Sequence, residues 1–346
     1  MDSDGAPTTL GLTLGFFKHF VDLHGGRDAF QGLTTKDVCV RYVKPFTEAS
    51  QLSLVEHIHQ RGPDEPKYAK PATWFVSHAW RYQFLDVIDA LDNFFDENEE
   101  DIDAVAVWFC MFNNNQHEIS GGTRPFAYWF DKFKDSLTAI GRVVMVLSPW
   151  NSPMTLTRTW CVFEVYVAIE TNARFEVAMG KAQKAAFLAD SAAPNDIFFA
   201  SLMKINCAKS IAAVPSDRDH IFELIEKGPG FAQVDRLVFQ VLEAWVGRMV
   251  DKQFHIAATR EERVMWRLTH VSPMMEKPKS EGAEPALVDI IAMPKQDEDL
   301  GPYHWQAVAS LALVRLRRKH PRMEWEPVTL QRKLWNEYML EPLIYN

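Results

Sequence analysis

The sequence has few cysteines and lacks the spacings that build disulfide frameworks or zinc fingers. Its 346 residues contain four cysteines, each standing singly and with no CxxC pair: Cys39, Cys110, Cys161 and Cys207. Scattered thiols of this kind are typical of reducing compartments, whereas disulfide-stabilised folds carry closely spaced pairs. We therefore expect a hydrophobic core, rather than covalent links, to stabilise the fold.

Positive charge is also scarce, since 37 Lys and Arg residues stand against 46 Asp and Glu, giving a net charge of −9. A broad basic face for nucleic acid is therefore not expected. The opening residues, MDSDGAPTTL, lack the basic segment of a secretory signal, and no apolar run approaches the ~20 residues that cross a bilayer. We expect a cytoplasmic protein without nucleic-acid or membrane partners.

The sequence contains no internal repeat, and its length fits one large domain with or without an appendage. Short apolar runs alternate with segments of helical spacing, such as the one that places Phe84, Val87, Ile88, Leu91 and Phe95 on one face. Strands that are apolar on both faces and alternate with helices predict a parallel sheet covered on either side. The predicted strands lie at 73–77, 104–110, 142–148 and 173–179, with a fifth somewhere in 198–207.

The two ends of the chain differ from this pattern. The segment LGLTLGFFKHFVDLHGG has helical apolar spacing and ends at a Gly-Gly pair, so we expect a helical N-terminal extension over 1–70. Beyond about residue 250, linker-like stretches surround a short β-run, ALVDIIAM, and a helix from about Tyr303 to Lys319. These features predict a C-terminal α/β appendage over 251–346.

Polar residues follow three of the predicted strands, over Ser77 to Arg81, Cys110 to His117 and Ser148 to Trp150. In an open α/β sheet, ligands bind beyond the carboxyl ends of the strands, at the point where the strand order reverses. The three segments are therefore expected to line one cleft.

One carboxylate, Glu164, interrupts an otherwise apolar helix in the stretch TRTWCVFEVYVAIE, residues 157–170. Such a group is costly unless it is paired, exposed or useful. Trp160 and Glu164 lie four residues apart, on one face near the start of the helix, where the helix dipole favours an anion. Two interpretations remain open: a functional acid facing the cleft, and a structural partner of Arg158 or of another basic group.

Other residues at the strand ends also have more than one interpretation. His78 could be a structural histidine or a ligand contact. Cys110 and His117 could form a nucleophile pair, but a thiol that ends a buried strand is usually inert, and Cys161 is expected to be a core residue. The run Asn113-Asn114-Asn115 fits a loop that uses the tolerance of asparagine for left-handed backbone, or a loop that contacts a nucleotide.

Several of these segments resemble the Toll/interleukin-1 receptor (TIR) family. The resemblance rests on TWFVSHAW, a loop ending in NNQH, the segment LSPWNSPMTLTRTWCVFEV, and SDRDHIFELIEKG. In plant-type TIR domains a similar segment ends in Trp-Cys, two variable residues and Glu, here Trp160, Cys161 and Glu164. The fuller pattern is similar to TIR-related proteins of algae and other protists. It covers about residues 71–250 and also the segment LTTKDVCVRYVKP before them. HAW at the first strand end and NNNQHEISGG after the second depart from the family pattern.

The resemblance implies a flavodoxin-like fold with a parallel five-stranded sheet of order 2-1-3-4-5. It also implies that Glu164 matches the glutamate of TIR domains that cleave NAD⁺ between nicotinamide and ribose. NAD⁺ would then be a substrate rather than a cofactor, and no metal is expected. In this interpretation Arg81 holds a phosphate and Trp80 or Trp150 stacks on a base; the expected substrate-binding residues are Ser77, His78, Trp80, Arg81, Trp150 and Trp160.

Three classes of function follow from these patterns. The first is a TIR-like NAD⁺ nucleosidase in signalling, stress or immune response, with Glu164 as catalytic carboxylate and activity that can depend on self-association through a TIR-like face. The second is a non-catalytic interaction or adaptor module with the same fold. The third is a sensor that binds a nucleotide without turnover.

Overall fold

The computed structural model describes residues 9–60, 67–122, 124–192, 205–259 and 262–267. One compact unit contains the described residues up to Asp190 and from 205 to Trp245, and the described residues after Trp245 belong to a second unit. The β-run and the helix predicted in the C-terminal appendage lie outside the described residues. None of the helices in the described ranges is both long enough and apolar enough to cross a membrane.

A mixed sheet of six strands forms the centre of the first unit in the described part of the chain. The strands are β1 (Leu10–Thr13), β2 (Ala69–Pro71), β3 (Trp74–Ser77), β4 (Ala106–Phe109), β5 (Arg142–Val146) and β6 (Arg174–Ala178). Their spatial order is β2-β1-β4-β3-β5-β6. The four adjacent strands β4, β3, β5 and β6 are parallel, whereas β1 pairs antiparallel with both β2 and β4.

The sequence prediction of α/β architecture is confirmed, but the predicted all-parallel five-stranded sheet is wrong because an antiparallel pair extends one edge. The four parallel strands, counted along the chain, have the order 2-1-3-4, so the order reverses at β3. Most of the segment expected to hold a fifth parallel strand, 198–207, lies outside the described residues, and its last part forms a 3-10 turn over Cys207–Lys209. The finer assignment to a TIR fold stays a prediction.

Helices connect and cover these strands. The helices are α1 (Leu14–Leu23), α2 (Gly26–Phe30), α3 (Thr35–Val38), α4 (Lys44–Thr47), α5 (Leu54–Gln60), α6 (Phe84–Glu97), α7 (Cys110–Asn113), α8 (Gln116–Gly121), α9 (Phe126–Ile140), α10 (Thr159–Glu170), α11 (Lys181–Ala192), α12 (Pro215–Lys227) and α13 (Phe231–Ile256). A π-helical turn, Cys39–Val43, joins α3 to α4, and a 3-10 turn, Met154–Thr157, precedes α10.

Alternation along the strands assigns the two faces of the sheet to different helices. Val76 and Phe109 belong to the core on the face covered by α1 and α6, where Phe17 and Phe84 also lie. Phe75 points to the opposite face and packs on Phe133 of α9, with ring centroids 5.9 Å apart. The helices therefore cover both faces, as the apolar runs predicted.

The N-terminal segment differs from its predicted helical form because its first residues join the sheet. Leu12 pairs with Val107, and Thr13 then caps α1 by accepting a hydrogen bond from the amide of Phe16. Glycine is required at position 11, since a β-carbon there would lie 2.5 Å from the carbonyl oxygen of Val107. Helical apolar spacing predicted the second half of this segment correctly and its first half wrongly.

Asn113, on the turn that follows β4, joins the antiparallel strand β1 to the parallel strands. Its side-chain oxygen accepts from the amide of Phe109 at 2.9 Å, and its side-chain nitrogen donates to the carbonyl of Leu10 at 2.7 Å. The side chain is buried, so these bonds satisfy groups that water does not reach.

We expect Asn113→Ala to destabilise the protein by about 2–4 kcal/mol, because it leaves two buried backbone groups without partners. Asn115→Ala is the matched control; it removes the cap of the short helix α8, which we expect to cost about 1 kcal/mol. Urea unfolding gives both values, and amide exchange at Leu12 should quicken only in the first variant. Equal losses of stability in the two variants would contradict a joining role for Asn113.

Candidate functional site

The candidate site lies at the carboxyl end of β3, where the order of the parallel strands reverses. Ser77 is the last residue of β3 and shares a face with Phe75, so its side chain points to the face covered by α9 and α10. There its hydroxyl donates a hydrogen bond to Oε2 of Glu164 on α10. The structure thus brings together two of the residues that the sequence singled out, 87 positions apart.

The carboxyl of Glu164 is held in an environment poor in water. The side chain keeps partial exposure, but the surrounding protein removes enough solvent that burial raises the pKa of Glu164 to about 7. The hydrogen bond from Ser77 and the charge of Arg158 both favour the ionised form, and their effect is smaller. At neutral pH the carboxyl is therefore present in both its protonated and its ionised form.

Arg158 influences Glu164 without forming an ion pair with it. Among the described residues no salt bridge joins the two, although the positive charge of Arg158 lowers the pKa of Glu164. The backbone of Arg158 occupies the cap position of α10 and bridges to Ile211. Ser77, rather than Arg158, therefore makes the direct contact that fixes the carboxylate.

Two thiols flank Glu164, and no signal in the sequence indicated one of them, Cys110. Cys110 receives a hydrogen bond from the indole nitrogen of Trp80, 3.1 Å from its sulfur, and the Cys161 thiol donates to the carbonyl of His78 at 3.4 Å. Burial and the nearby Glu164 carboxylate raise the pKa of Cys110 to about 12 and that of Cys161 well above its usual value. Both are protonated thiols, which are poor nucleophiles. The one signal in the sequence was the three-residue spacing of Cys161 and Glu164 on a helix.

His78 lies on the other side of the same strand end. Its ring stacks on Phe109 with centroids 4.1 Å apart, and the residue is 4% exposed. Neither ring nitrogen has a hydrogen-bond partner within the described chain. Burial and the charge of Arg158 lower the pKa of His78 to about 3, although the nearby backbone of Val76 acts to raise it. The imidazole is therefore neutral. The residue belongs to the aromatic core, and its side chain makes no hydrogen bond with Glu164.

The four remaining predicted site residues lie in different surroundings. Trp80 is half-buried beside Cys110, and Arg81 is exposed on the same loop. Trp150 is buried against Phe187, with centroids 5.3 Å apart. Trp160 donates from its indole to Asp217 at 3.1 Å and belongs to an aromatic cluster of α9 and α10. Of these four, Trp160 lies one helical turn before Glu164, and Trp80 bonds to Cys110, whose thiol lies in the electrostatic neighbourhood of Glu164.

The other proposed arrangements near β4 do not form. His117 bonds through Nε2 to the hydroxyl of Thr47 at 2.9 Å, and it makes no hydrogen bond with Cys110. Asn114 and Asn115 have φ values of −88° and −70°, so the expected left-handed backbone is absent there. In the described ranges, no group of three or more His, Cys, Asp or Glu residues is placed to hold a metal ion.

We expect Glu164→Gln to stabilise the protein at pH 8 and to change its stability little at pH 5. The folded protein holds the Glu164 proton more tightly than the unfolded chain, so this group lowers the free energy of unfolding as pH rises from about 4.5 towards 7. The shift corresponds to at most about 3 kcal/mol, which water reaching the half-buried side chain reduces.

Urea unfolding across this pH range measures the effect. Glu170→Gln on the exposed end of the same helix is the matched control and should show no such pH dependence. A Glu164→Gln stability difference that is constant from pH 5 to pH 8 would show that the folded protein does not hold this proton more tightly.

Comparison of the chain with protein-family models, with curated proteins and with solved structures found no match. The resemblance to TIR domains therefore depends on the sequence motifs themselves. The geometry around Glu164 stands independently of that resemblance, because it follows from the contacts of the strand end and the helix.

Proposed function

We propose that the protein cleaves the bond between nicotinamide and ribose in NAD⁺, with Glu164 as the catalytic carboxylate. The observation that carries the proposal is the Ser77–Glu164 hydrogen bond at the point where the parallel strand order reverses. This is where open α/β sheets bind ligands. The motif resemblance to NAD⁺-cleaving TIR domains supports the same reaction.

The carboxylate has one oxygen available for substrate. Oε2 accepts the Ser77 hydroxyl, and Oε1 has no hydrogen-bond partner among the described residues. Departure of nicotinamide leaves positive charge on the ribose, and an adjacent carboxylate in a poorly hydrated site stabilises that charge more strongly than one in water. Water then bonds to C1′ of the ribose and loses a proton, which completes the hydrolysis. Oε1 can also accept a hydrogen bond from a ribose hydroxyl. Ser77 is assigned the role of orienting the carboxylate for both tasks.

Among the described residues no second carboxyl group shifts the pKa of Glu164, which favours a substrate whose leaving group needs no proton. Hydrolysis of ordinary glycosides typically uses two carboxyl groups, one of them a general acid. The groups that shift the pKa of Glu164 are Ser77 and Arg158, and neither is a carboxyl. Nicotinamide leaves the positively charged pyridinium of NAD⁺ as a neutral molecule, so one carboxylate is sufficient.

Trp80 is the best-placed aromatic group for the pyridinium ring. Its side chain is half-buried beside Cys110, whose thiol lies in the electrostatic neighbourhood of Glu164. A cationic ring is attracted to the face of an indole. Trp150 and Trp160 are engaged with Phe187 and Asp217 respectively, which makes them poorer candidates for this role. Arg81, exposed on the same loop, is the proposed contact for a phosphate.

We expect the purified protein to release nicotinamide from NAD⁺, and Glu164→Gln to lower kcat by about 10²–10⁴-fold because it removes the stabilising charge. Ser77→Ala should lower kcat less, about tenfold, since the carboxylate remains. Glu170→Gln is the matched control and should behave like wild type. Chromatography of the products measures the rates, at several protein concentrations so that activity requiring self-association is detected. Absence of release at every concentration would favour the interaction module, or the sensor if NAD⁺ binds intact.

We expect kcat/KM for NAD⁺ to rise with pH through a midpoint near 7. Only the ionised carboxylate stabilises the positive ribose, and kcat/KM reports the ionisation of the free enzyme. NADH is the matched substrate control: its uncharged dihydropyridine is a poor leaving group, so we expect no detectable cleavage. A profile that falls with pH, or equal cleavage of both nucleotides, would indicate a protonated Glu164 acting as a general acid.

A further inference from the structure

Tyr82 lies on the loop between β3 and α6, and its side chain belongs to the core. It is 5% exposed, and its backbone amide donates to the carbonyl of Ala79 at 2.9 Å. This loop begins directly after Ser77 and contains Trp80. Any contact that holds Tyr82 therefore also constrains the segment that carries two proposed site residues.

The Tyr82 hydroxyl is hydrogen-bonded to both ends of the loop that follows β5. It accepts hydrogen bonds from the backbone amides of Ser148, at 3.3 Å, and Thr155, at 3.2 Å. With both lone pairs used, its own proton can go to the hydroxyl of Thr155, 3.3 Å away. The Thr155 hydroxyl in turn donates to the carbonyl of Val146, at the end of β5. Each group in this network has a defined donor or acceptor role.

The loop that Tyr82 holds leads directly into the helix that carries Glu164. Thr155 lies in the 3-10 turn Met154–Thr157, and α10 begins at Thr159. The loop that contains Tyr82 begins directly after Ser77, and the loop that its hydroxyl holds ends shortly before Glu164 on α10. The Tyr82 hydroxyl joins the segments at a second point, apart from the hydrogen bond that Ser77 donates to Glu164.

The N-terminal part of the chain holds the same loop from its other side. The amide of Thr35 donates to the carbonyl of Tyr82 at 2.9 Å, and that of Lys36 donates to the carbonyl of Trp80 at 3.1 Å. The N-terminal segment thus holds the backbone of Tyr82, while the Tyr82 hydroxyl holds the loop that follows β5. The position of Tyr82 therefore also depends on a segment that precedes β3 in the chain.

We propose that Tyr82 is a positioning residue for the site: its hydroxyl fixes the entrance of α10 against the end of β3 and so sets the alignment of Glu164 with Ser77. The effect on catalysis rests on the proposed NAD⁺ cleavage, whereas the effect on the Glu164 carboxyl does not. A hydroxyl with three protein partners is a rigid support, because its loss frees two backbone amides in one loop.

Tyr82→Phe tests this proposal, since it removes the hydroxyl and keeps the buried ring. Tyr42→Phe is the matched control, because the Tyr42 hydroxyl makes one hydrogen bond, to the carbonyl of Ala29 at 3.3 Å, away from this loop. We expect Tyr82→Phe to lower kcat for NAD⁺ about tenfold or more with KM changed less than about threefold, as loss of alignment predicts. Tyr42→Phe should leave both constants unchanged.

The titration of Glu164, followed by carbon-13 NMR of its carboxyl in the full-length protein, is the second readout. A loosened loop admits water, so the Glu164 pKa in Tyr82→Phe should fall from its wild-type value of about 7 towards 4.5. The control variant should titrate like wild type. A residue that merely stabilises the fold would lower the free energy of unfolding and leave both the titration and kcat unchanged, and that result would overturn the proposal.

The two readouts separate the failure of this inference from the failure of the proposed function. If wild type does not cleave NAD⁺ but the Glu164 titration moves in Tyr82→Phe, the positioning role stands without the proposed activity. If Tyr82→Phe does not fold, amide hydrogen exchange in the wild-type protein replaces it, because the amides of Ser148 and Thr155 donate to the Tyr82 hydroxyl and should be protected. Exchange of both amides at the rate of an unfolded chain would overturn the proposal.

Discussion

The hydrogen bond from Ser77 to Glu164 is the interaction on which the site depends. It joins the last residue of the central strand β3 to a carboxylate four residues after Trp160 on α10. A lone carboxylate in an apolar helix is unfavourable, and one hydrogen bond only partly offsets the loss of water, as the raised pKa of Glu164 indicates. The arrangement therefore retains a destabilising group at the position where the fold is best suited to bind a ligand.

The sheet alone fixes the direction in which Ser77 points towards Glu164, without any contribution from side chains in the loops. Side chains alternate along β3, so Val76 enters the core beneath α1 and α6 while Ser77 points towards α10. The order of the parallel strands then places the end of β3 at the reversal point. Tyr82 then fixes the distance between the loops that follow β3 and β5 through the hydrogen bonds to its hydroxyl. Strand register and one buried hydroxyl together limit how far Glu164 can move.

Much of this could be predicted from sequence because it depends on local periodicity. Strands β3, β4 and β5 are almost wholly apolar on both faces, whereas β6 carries Arg174 and Glu176 on one face. The amphipathic spacing of α6 and α9 is regular, so these elements are visible without tertiary information. Strand β1 was missed because its four residues continue into a helix without a change in composition. Gly11 matters only once Val107 is known to be its neighbour. The roles of Asn113 and Cys110 are likewise set by partners distant in sequence.

The raised pKa of Glu164 is compatible with a role as an anion because the proposed substrate changes the electrostatics of the site. In the free protein, burial disfavours the carboxylate, and the nearby charge of Arg158 only partly compensates. A bound pyridinium adds a second positive charge in the same poorly hydrated space, where charges interact more strongly than in water, and so favours ionisation. A neutral ligand would supply no such charge. The desolvation that destabilises Glu164 in the free protein thus favours a cationic ligand over a neutral one of the same shape.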